Sequence, residues 1–495
     1  RLRQQLKSFA YERLLLVRRR QLEEANTAAR TTREAVAWAR QQWSALTVAR
    51  LQSLSEEQKQ PFLRRRSCSR PEGSLLTHTL NTAGRLPAPP GHMDEEVSTR
   101  YLLDLQDLYS LLCGKTQAQG SSAVRDSGGA KTDLQLEGFS SPVWSALGTK
   151  LQTSSLQDLK ERYRDLSMVN DHLGIPCLDC RDERYATGEE VLSEGYIPSL
   201  QKYARRGIPA GLRLKVWSKI LSVEPAGPHL TKLQEITQNV GLWEWLTDDV
   251  VRLDVADLCR NDVCYFPFEE VVEAMSLTLS RDGEVAADCW HGPPQLPVLK
   301  AGDWTVCLGR DDKAAQGEYT VPPSGVVPFR GFCAYACPFA FLSEKLEVAY
   351  PLFRAFYQTH LSGLHSLSWK PGTLFPLCCL FEALLHAVAP HLGEHLSQLG
   401  PTASPLRVAF PWLVRGFVGF LRAQEVFWLW DRMLGYGSTE LVAILAVAIF
   451  EFRSKLVLST RSAEDLRVLF SDISELQTMP LLQHFLFGDE LQEQF

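Results

Sequence analysis

Cysteines, histidines and arginines are the side chains whose spacing could do chemistry here, and what surrounds each one limits what that chemistry is. Cys177-Leu178-Asp179-Cys180 is a close C-x-x-C pair. A tetrahedral zinc site needs four ligands, and no second cysteine pair or histidine pair stands at ligand spacing, so no metal is expected. His386, His391 and His395 gather near one helix end, but Pro390 and Gly393 interrupt any shared helical face, which favours packing and capping. A nucleotide-binding GTPase would carry a G-x-x-x-x-G-K-S/T phosphate loop, and the sequence has none. Nor does it offer a nucleophile, base and orienter for hydrolase chemistry. Arginines and carboxylates remain. A guanidinium is a fixed cation with donors only, so it can neutralise an anion but cannot accept a proton.

The elements that must position these residues read as helices. Hydrophobic residues make up 45% of the 495 and charged ones 22%, ordinary globular values. The length suggests two to four folding units of roughly 100–200 residues each. From Leu2 to about Ser55 the chain is rich in Arg, Gln, Glu, Ala and Leu with almost no Gly or Pro, which predicts a long helix or helical hairpin. Leu6, Phe9, Leu14 and Val17 approximate a heptad-like stripe, without sustaining a coiled coil. Ser67 to Met93, with Pro71, Pro87, Pro89 and Pro90, and the Gly/Ser-rich stretch from Gly114 to Gly138 read as linkers. A short helix around Thr99 to Leu112 lies between them. Helical patterning resumes at Leu156 to Leu173 and Tyr196 to Leu221, then recurs in Phe339 to Leu346, Phe375 to Val388, Trp412 to Leu421 and Leu441 to Phe452. Strand-like alternation is confined to Trp304 to Leu308, inside a Gly-rich insert of about 282–324. The fold class is therefore all-α, and without an internal repeat a solenoid is disfavoured.

The net charge of -6 conceals an asymmetry, because Arg1 to Arg70 holds sixteen basic residues against six acidic ones. The remainder is acidic, which argues against nucleic acid as a partner of the main body. The basic segment reads as a solvated helix face, or as a contact for an acidic membrane surface or partner. Twelve cysteines scattered through apolar stretches fit reduced thiols in a cytoplasmic setting. No run reaches the roughly 20 apolar residues that span a bilayer, so membrane contact would be peripheral. The most apolar run, Leu441 to Phe450, is followed by Glu451 and Arg453 and suits a buried core helix.

Two motifs stand out. In Arg205-Arg206-Gly207-Ile208-Pro209-Ala210-Gly211-Leu212-Arg213-Leu214-Lys215-Val216-Trp217, Gly207 permits a turn, Pro209 suits a first helical turn, and Leu212, Val216 and Trp217 form the apolar stripe of the helix that follows. Some two hundred residues on, Phe410-Pro411-Trp412 opens an amphipathic segment, and Val426-Phe427-Trp428-Leu429-Trp430-Asp431-Arg432 leads to Gly437 and an apolar helix. The first string resembles the opening signature of the TBC domain family, G-I-P-x-x-L-R-x-x-V-W, and the second resembles its late aromatic, W-D and glycine order. The resemblance covers roughly half the chain and implies an all-helical, Rab GTPase-activating-protein fold.

Members of that family that accelerate GTP hydrolysis insert an Arg, which neutralises the transferring phosphoryl group, and a Gln, which orients the attacking water. Such an arginine is worth about 10³–10⁵ in rate. The family's Arg motif, I-x-x-D-x-x-R, matches Val251-Arg252-Leu253-Asp254-Val255-Ala256-Asp257 with Asp257 where Arg belongs. A shift of three recovers Arg260 but places Asp254 at the apolar position; the first register is the better match, and Arg260 stays a candidate through the second. The Gln motif, Y-x-Q-G followed by an A-P pair, matches Pro328-Phe329-Arg330-Gly331 ahead of Cys337-Pro338, with Arg330 in place of Gln. Arg330 either lends positive charge from the other side of the site or is a surface or structural arginine.

The expected layout is a basic helical segment over 1–66, a linker-rich region with a short helix over 67–140, a helical lead-in over 141–202, a TBC domain over 203–455 and capping helices over 456–495. The resemblance implies a protein that engages a Rab-type small GTPase in its GTP–Mg state, with no cofactor of its own. It implies GTPase activation in membrane trafficking, which the two finger positions weaken. The alternatives are a non-catalytic TBC scaffold, and a helical adaptor that self-associates through the N-terminal helix. The expected location is cytoplasmic, at most peripheral on intracellular membranes.

Overall fold

A computed structural model describes residues 30, 32–55, 63–65, 104–113, 145–147, 151, 153–167, 178–223, 228–261, 268–285, 298–300, 318–320 and 322–492. The heptad-like stripe of Leu6 to Val17, the alternating stretch Trp304 to Leu308 and Cys177 lie outside the described residues. The elements that matter for the site begin with helix α1 (32–55), strand β1 (Leu63–Arg65) and helix α2 (105–113). Next come α3 (Ile197–Arg205), α4 (Ala210–Ile220), β2 (Trp243–Trp245), α5 (Leu246–Asn261) and α6 (Glu269–Arg281). The C-terminal half supplies α7 (Leu346–Phe356), α8 (Leu374–Val388), α9 (Pro405–Arg415), α10 (Ala423–Tyr436), α11 (Glu440–Phe452) and α12 (Thr478–Gln492). Strand pairing among the described residues is limited to two antiparallel pairs of three-residue strands, β1 with β2 and Val298–Lys300 with Glu318–Thr320. The fold is all-α.

Helix α11 is the centre of the core. From Leu441 to Phe450 no residue is more than 2% exposed, as expected of a helix that is apolar all round. Helices α8, α9 and α12 pack against it. No single helix among the described residues is long and apolar enough to cross a membrane; α8 passes such a test only together with Pro390–Gln398, across a 105° bend. A second layer joins α10 to α3 and α5 to α6 to α7. Aromatic rings tie the layers together: Trp217 of α4 packs 5.0 Å from Phe356, which stacks 5.1 Å from Trp430 of α10.

Several helix limits depart from the sequence expectation for local reasons. A helix expected over Trp412 to Leu421 runs instead from Pro405, which pre-sets the first turn, to Arg415. It stops because Gly416 turns left-handed at φ 53 while its carbonyl accepts from Trp430 Nε1 at 3.0 Å. The helix expected over Phe339 to Leu346 ends at Leu342, where Ser343 is extended, and α7 restarts at Leu346. The helix that starts at Leu156 under a Ser155–Asp158 capping box ends at Arg162, short of Leu173. Pro209 is the N-cap of α4, one position ahead of the first helical turn.

The basic helix α1 is not simply a solvated face. Val36 and Ala39 join the main core, and Leu51 and Leu54 close on Leu246 and Val250 at the start of α5.

Candidate functional site

The two motifs that stand out in the sequence meet at one buried carboxylate. Asp431, from the Trp430-Asp431 pair on α10, accepts from Ile208 N at 3.1 Å, Arg213 Nε at 3.1 Å, Arg213 Nη2 at 3.1 Å and Trp217 Nε1 at 2.8 Å. Arg213 returns a further bond to the Ile208 carbonyl at 2.8 Å. Both side chains of this pair are at most 1% exposed. Gly207 turns at φ 85, and a Cβ there would lie 2.6 Å from Arg432 Nη1. The Gly-Ile-Pro turn is thus sealed into the protein by hydrogen bonds and packing. Its hydrogen bonds are spent on holding α4 to α10.

Asp257 and Arg330, expected at the finger positions, meet elsewhere. Helix α5 is fixed at its start by the buried Asp248, which accepts from Trp245 N at 3.1 Å and pairs with Arg281 of α6. Two turns on, Asp254 is 1% exposed, and its carboxylate accepts from the backbone amides of Gly331 and Cys333, the latter at 2.8 Å. Burial pushes the Asp254 carboxyl up, and the two amides pull it back. One turn beyond lies Asp257, on the same helical face. Its Oδ2 accepts from Arg330 Nε at 2.9 Å, with the two side chains 26% and 33% exposed. That hydrogen bond is the main reason the Arg330 guanidinium is held more firmly protonated than usual; burial opposes it, and the fields of Asp257, Asp104 and Asp254 support it.

The loop that carries Arg330 is seated from behind. Phe329, Phe332, Tyr335 and Tyr357 surround His365, with ring centroids 5.4 to 6.0 Å from it, and burial depresses His365 to about 4. Gly331 turns at φ 89, and a Cβ there would fall 2.0 Å from Arg415 Nη2. Arg415 donates to the Arg330 carbonyl at 3.4 Å, while its own Nε is buried with no hydrogen-bond partner. Asp254 and Arg415 therefore clamp the 330–333 turn from two sides.

Of the sequence candidates, Asp257 and Arg330 are brought together. Arg260 lies on the last turn of α5, and its side chain is outside the described residues. The histidines are not brought together as a ligand set: His386 and His391 are exposed, and His395 Nε2 lies 3.1 Å from the Thr460 carbonyl. Among the described residues no group of three His, Cys, Asp or Glu could hold a metal ion. Sequence reasoning did not single out Arg415. Its signal was available in a basic residue closing a helix just before a glycine.

The Gly-Ile-Pro turn is locked to the Trp-Asp helix, and an Asp-bearing helix clamps an Arg-Gly turn, so the segments that resemble the TBC family sit together in one all-helical body. The chain belongs to the TBC domain family, whose fold is that of Rab GTPase-activating proteins. It is similar to TBC1 domain family member 19 of Homo sapiens, 34% identical over 349 residues that take in 68% of this chain and 64% of that protein. The chain thus spans a little under two thirds of that relative's length. No family model matches the chain.

Proposed function

We propose that the face carrying Asp257 and Arg330 engages a Rab-type small GTPase in its GTP–Mg state as a binding module in membrane trafficking, without supplying the arginine and glutamine of accelerated hydrolysis. The observation that supports this reading is the 2.9 Å contact between Arg330 Nε and Asp257 Oδ2. In the family's terms these are the two finger positions. Here each satisfies the other. A cation already engaged by a carboxylate brings little net charge to a γ-phosphate. If the pair opens to release Arg330, the Asp257 carboxylate loses that cation beside an anion, which Coulomb repulsion disfavours. Arg330 also lacks the acceptor needed to orient a water nucleophile. The pair removes the repulsion an unpaired Asp257 would exert, so docking is compatible with it where hydrolysis chemistry is not.

On this reading the GTPase-engaging unit spans 203–455 and acts at the cytoplasmic side of an intracellular membrane. Self-association through the N-terminal helix is the weaker alternative, because α1 already spends Val36, Ala39, Leu51 and Leu54 on its own chain.

Single-turnover GTP hydrolysis across a Rab panel, with Arg260→Ala and Arg330→Ala beside the parent, tests the proposal. Binding of a GTP-loaded Rab with hydrolysis at its intrinsic rate is expected. Acceleration of any Rab by 10²-fold or more sinks it; loss of that acceleration in Arg260→Ala alone would make Arg260 the finger.

A further inference from the structure

The segments ahead of the main domain lie against the elements that carry the finger pair. Strand β1 pairs antiparallel with β2, with Arg64 opposite Glu244, and β2 runs straight into α5, the helix of Asp254 and Asp257. The last turn of α1 places Leu51 and Leu54 on Leu246 and Val250, with Trp245, Leu253 and Val327 packed around them. Val327 begins the stretch that becomes the Arg330 turn, so this small cluster touches both sides of the pair. At its other end α1 lays Arg33 over the Trp369 ring at 4.2 Å. Trp369 is otherwise 45% exposed.

Helix α2 approaches from the α9 side. Tyr109 packs edge-on to Phe410 at 5.3 Å and donates to Ser404 Oγ at 3.3 Å, and Arg407 lies over its ring. At the start of α2, Asp104 adds its field to those around Arg330. The end of α1 and β1 thus touch the elements that carry the finger pair, while α2 reaches Arg330 through the field of Asp104.

The mode of attachment suggests that this strap can separate from the body. Val36 and Ala39 of α1 and Leu105, Leu108 and Leu112 of α2 stay in the main core, but Leu51 and Leu54 at the end of α1 belong to a satellite cluster distinct from it, and the β1–β2 ribbon is three residues long on each side, a length that is marginal on its own. Local openings are drawn from such weakly anchored elements.

We propose that the last turn of α1 and β1 form an intramolecular strap over the start of α5 and the Val327 end of the Arg330 turn, and that a protein partner engages the face beside the finger pair fully only when this strap lifts. The strap competes for the surface at the start of α5 and at Val327, so the closed form lowers apparent affinity by the fraction of time the face is covered. The partner being a GTPase rests on the function proposed above; the strap itself does not.

Two full-length proteins test this. Leu51→Asp/Leu54→Asp should release the strap: amide hydrogen exchange over 243–257 should rise at least tenfold while 440–452 stays as protected as in the parent. Binding of a GTP-loaded Rab should tighten about tenfold. Loss of protection in 440–452 as well makes the strap part of the core and overturns the proposal, as does unchanged exchange over 243–257. In Arg64→Cys/Glu244→Cys, oxidation should lock β1 to β2 and weaken Rab binding at least tenfold, with reductant restoring it. A locked protein that binds as well as its reduced form also overturns the strap. Local opening in the first variant, with no Rab bound by any form, supports the strap and overturns the GTPase reading.

Discussion

Two Asp–Arg pairs each join segments distant in sequence, and they are built for different purposes. Asp431 and Arg213 are at most 1% exposed, and the carboxylate also accepts from Trp217 Nε1 and the Ile208 amide. Asp257 and Arg330 are about a quarter to a third exposed and share one hydrogen bond. The first pair has its hydrogen-bonding capacity spent inside the protein. The second is held in place by Asp254 and Arg415 behind it, and its own charges face outward. A buried pair is expensive to break because each partner becomes an uncompensated charge. A part-exposed pair is worth about 0–1 kcal/mol and is free to change partners.

The largest effect should therefore come from the buried pair. Asp431→Ala leaves Arg213 Nε, Trp217 Nε1 and the Ile208 amide without their acceptor and the Arg213 charge without its carboxylate, and should cost about 3–5 kcal/mol in denaturant-induced unfolding. Adding Arg213→Met should recover a substantial part of that loss, since an apolar replacement of both partners is often near neutral. A loss under 1 kcal/mol in the single variant would remove the contrast between the two pairs.

A third carboxylate shows what burial does without a cation. Glu382 of α8 accepts from the Ala146 amide at 2.7 Å and from the Ser145 hydroxyl, and burial raises it to about 7 against those bonds. Between its unfolded value of 4.5 and about 7, the folded protein holds the extra proton. Stability from this group is therefore highest at acid pH and falls as pH rises through 7. His365, depressed to about 4, acts in the opposite sense over an overlapping range, so the parent's own pH profile conceals both. The difference between Glu382→Gln and the parent isolates the carboxyl. The variant should gain on the parent by a few kcal/mol, to order of magnitude, between pH 5 and pH 8. A difference that is flat with pH would mean that Glu382 is charged throughout.

How much of this was legible beforehand followed from how local each feature is. Leu212, Val216 and Trp217 are fully buried on α4, as their helical spacing indicates, and the core position of Leu441 to Phe450 follows from a run apolar on every side. The helix shift from 412–421 to Pro405–Arg415 was also local, written in Pro405 and Gly416. The meeting of Ile208, Arg213 and Trp217 at Asp431 was not, because nothing in either segment specifies a partner over two hundred residues away. The same holds for the site. The mismatch of Asp257 and Arg330 with the family pattern can be read from the sequence, but that the two departures answer each other needs the three-dimensional turn at Gly331. The contacts of α1 were hidden for another reason: its basic composition describes the outward face, while the inward face rests on Thr32, Ala35, Val36, Ala39, Thr47, Leu51 and Leu54.

The smallest effect on stability should come from the exposed pair, and it separates the two readings of Arg330. Asp257→Asn removes the charge from the partner while keeping an oxygen that can accept from Nε, so unfolding should shift by about 1 kcal/mol or less. The turn itself should stay in place, because Asp254, Arg415 and the ring cluster around His365 hold it. Arg330 would then keep its charge with only the fields of Asp104 and Asp254 beside it, no longer engaged by a carboxylate. If the missing water-orienting group is what prevents hydrolysis, Rab-bound GTP still turns over at its intrinsic rate in this variant, and affinity for the anionic GTP-bound face rises. If engagement by Asp257 is what prevents it, the same substitution should release a rate gain toward the 10³-fold that an arginine finger supplies. In that case the Asp257–Arg330 contact is a catch on a working finger.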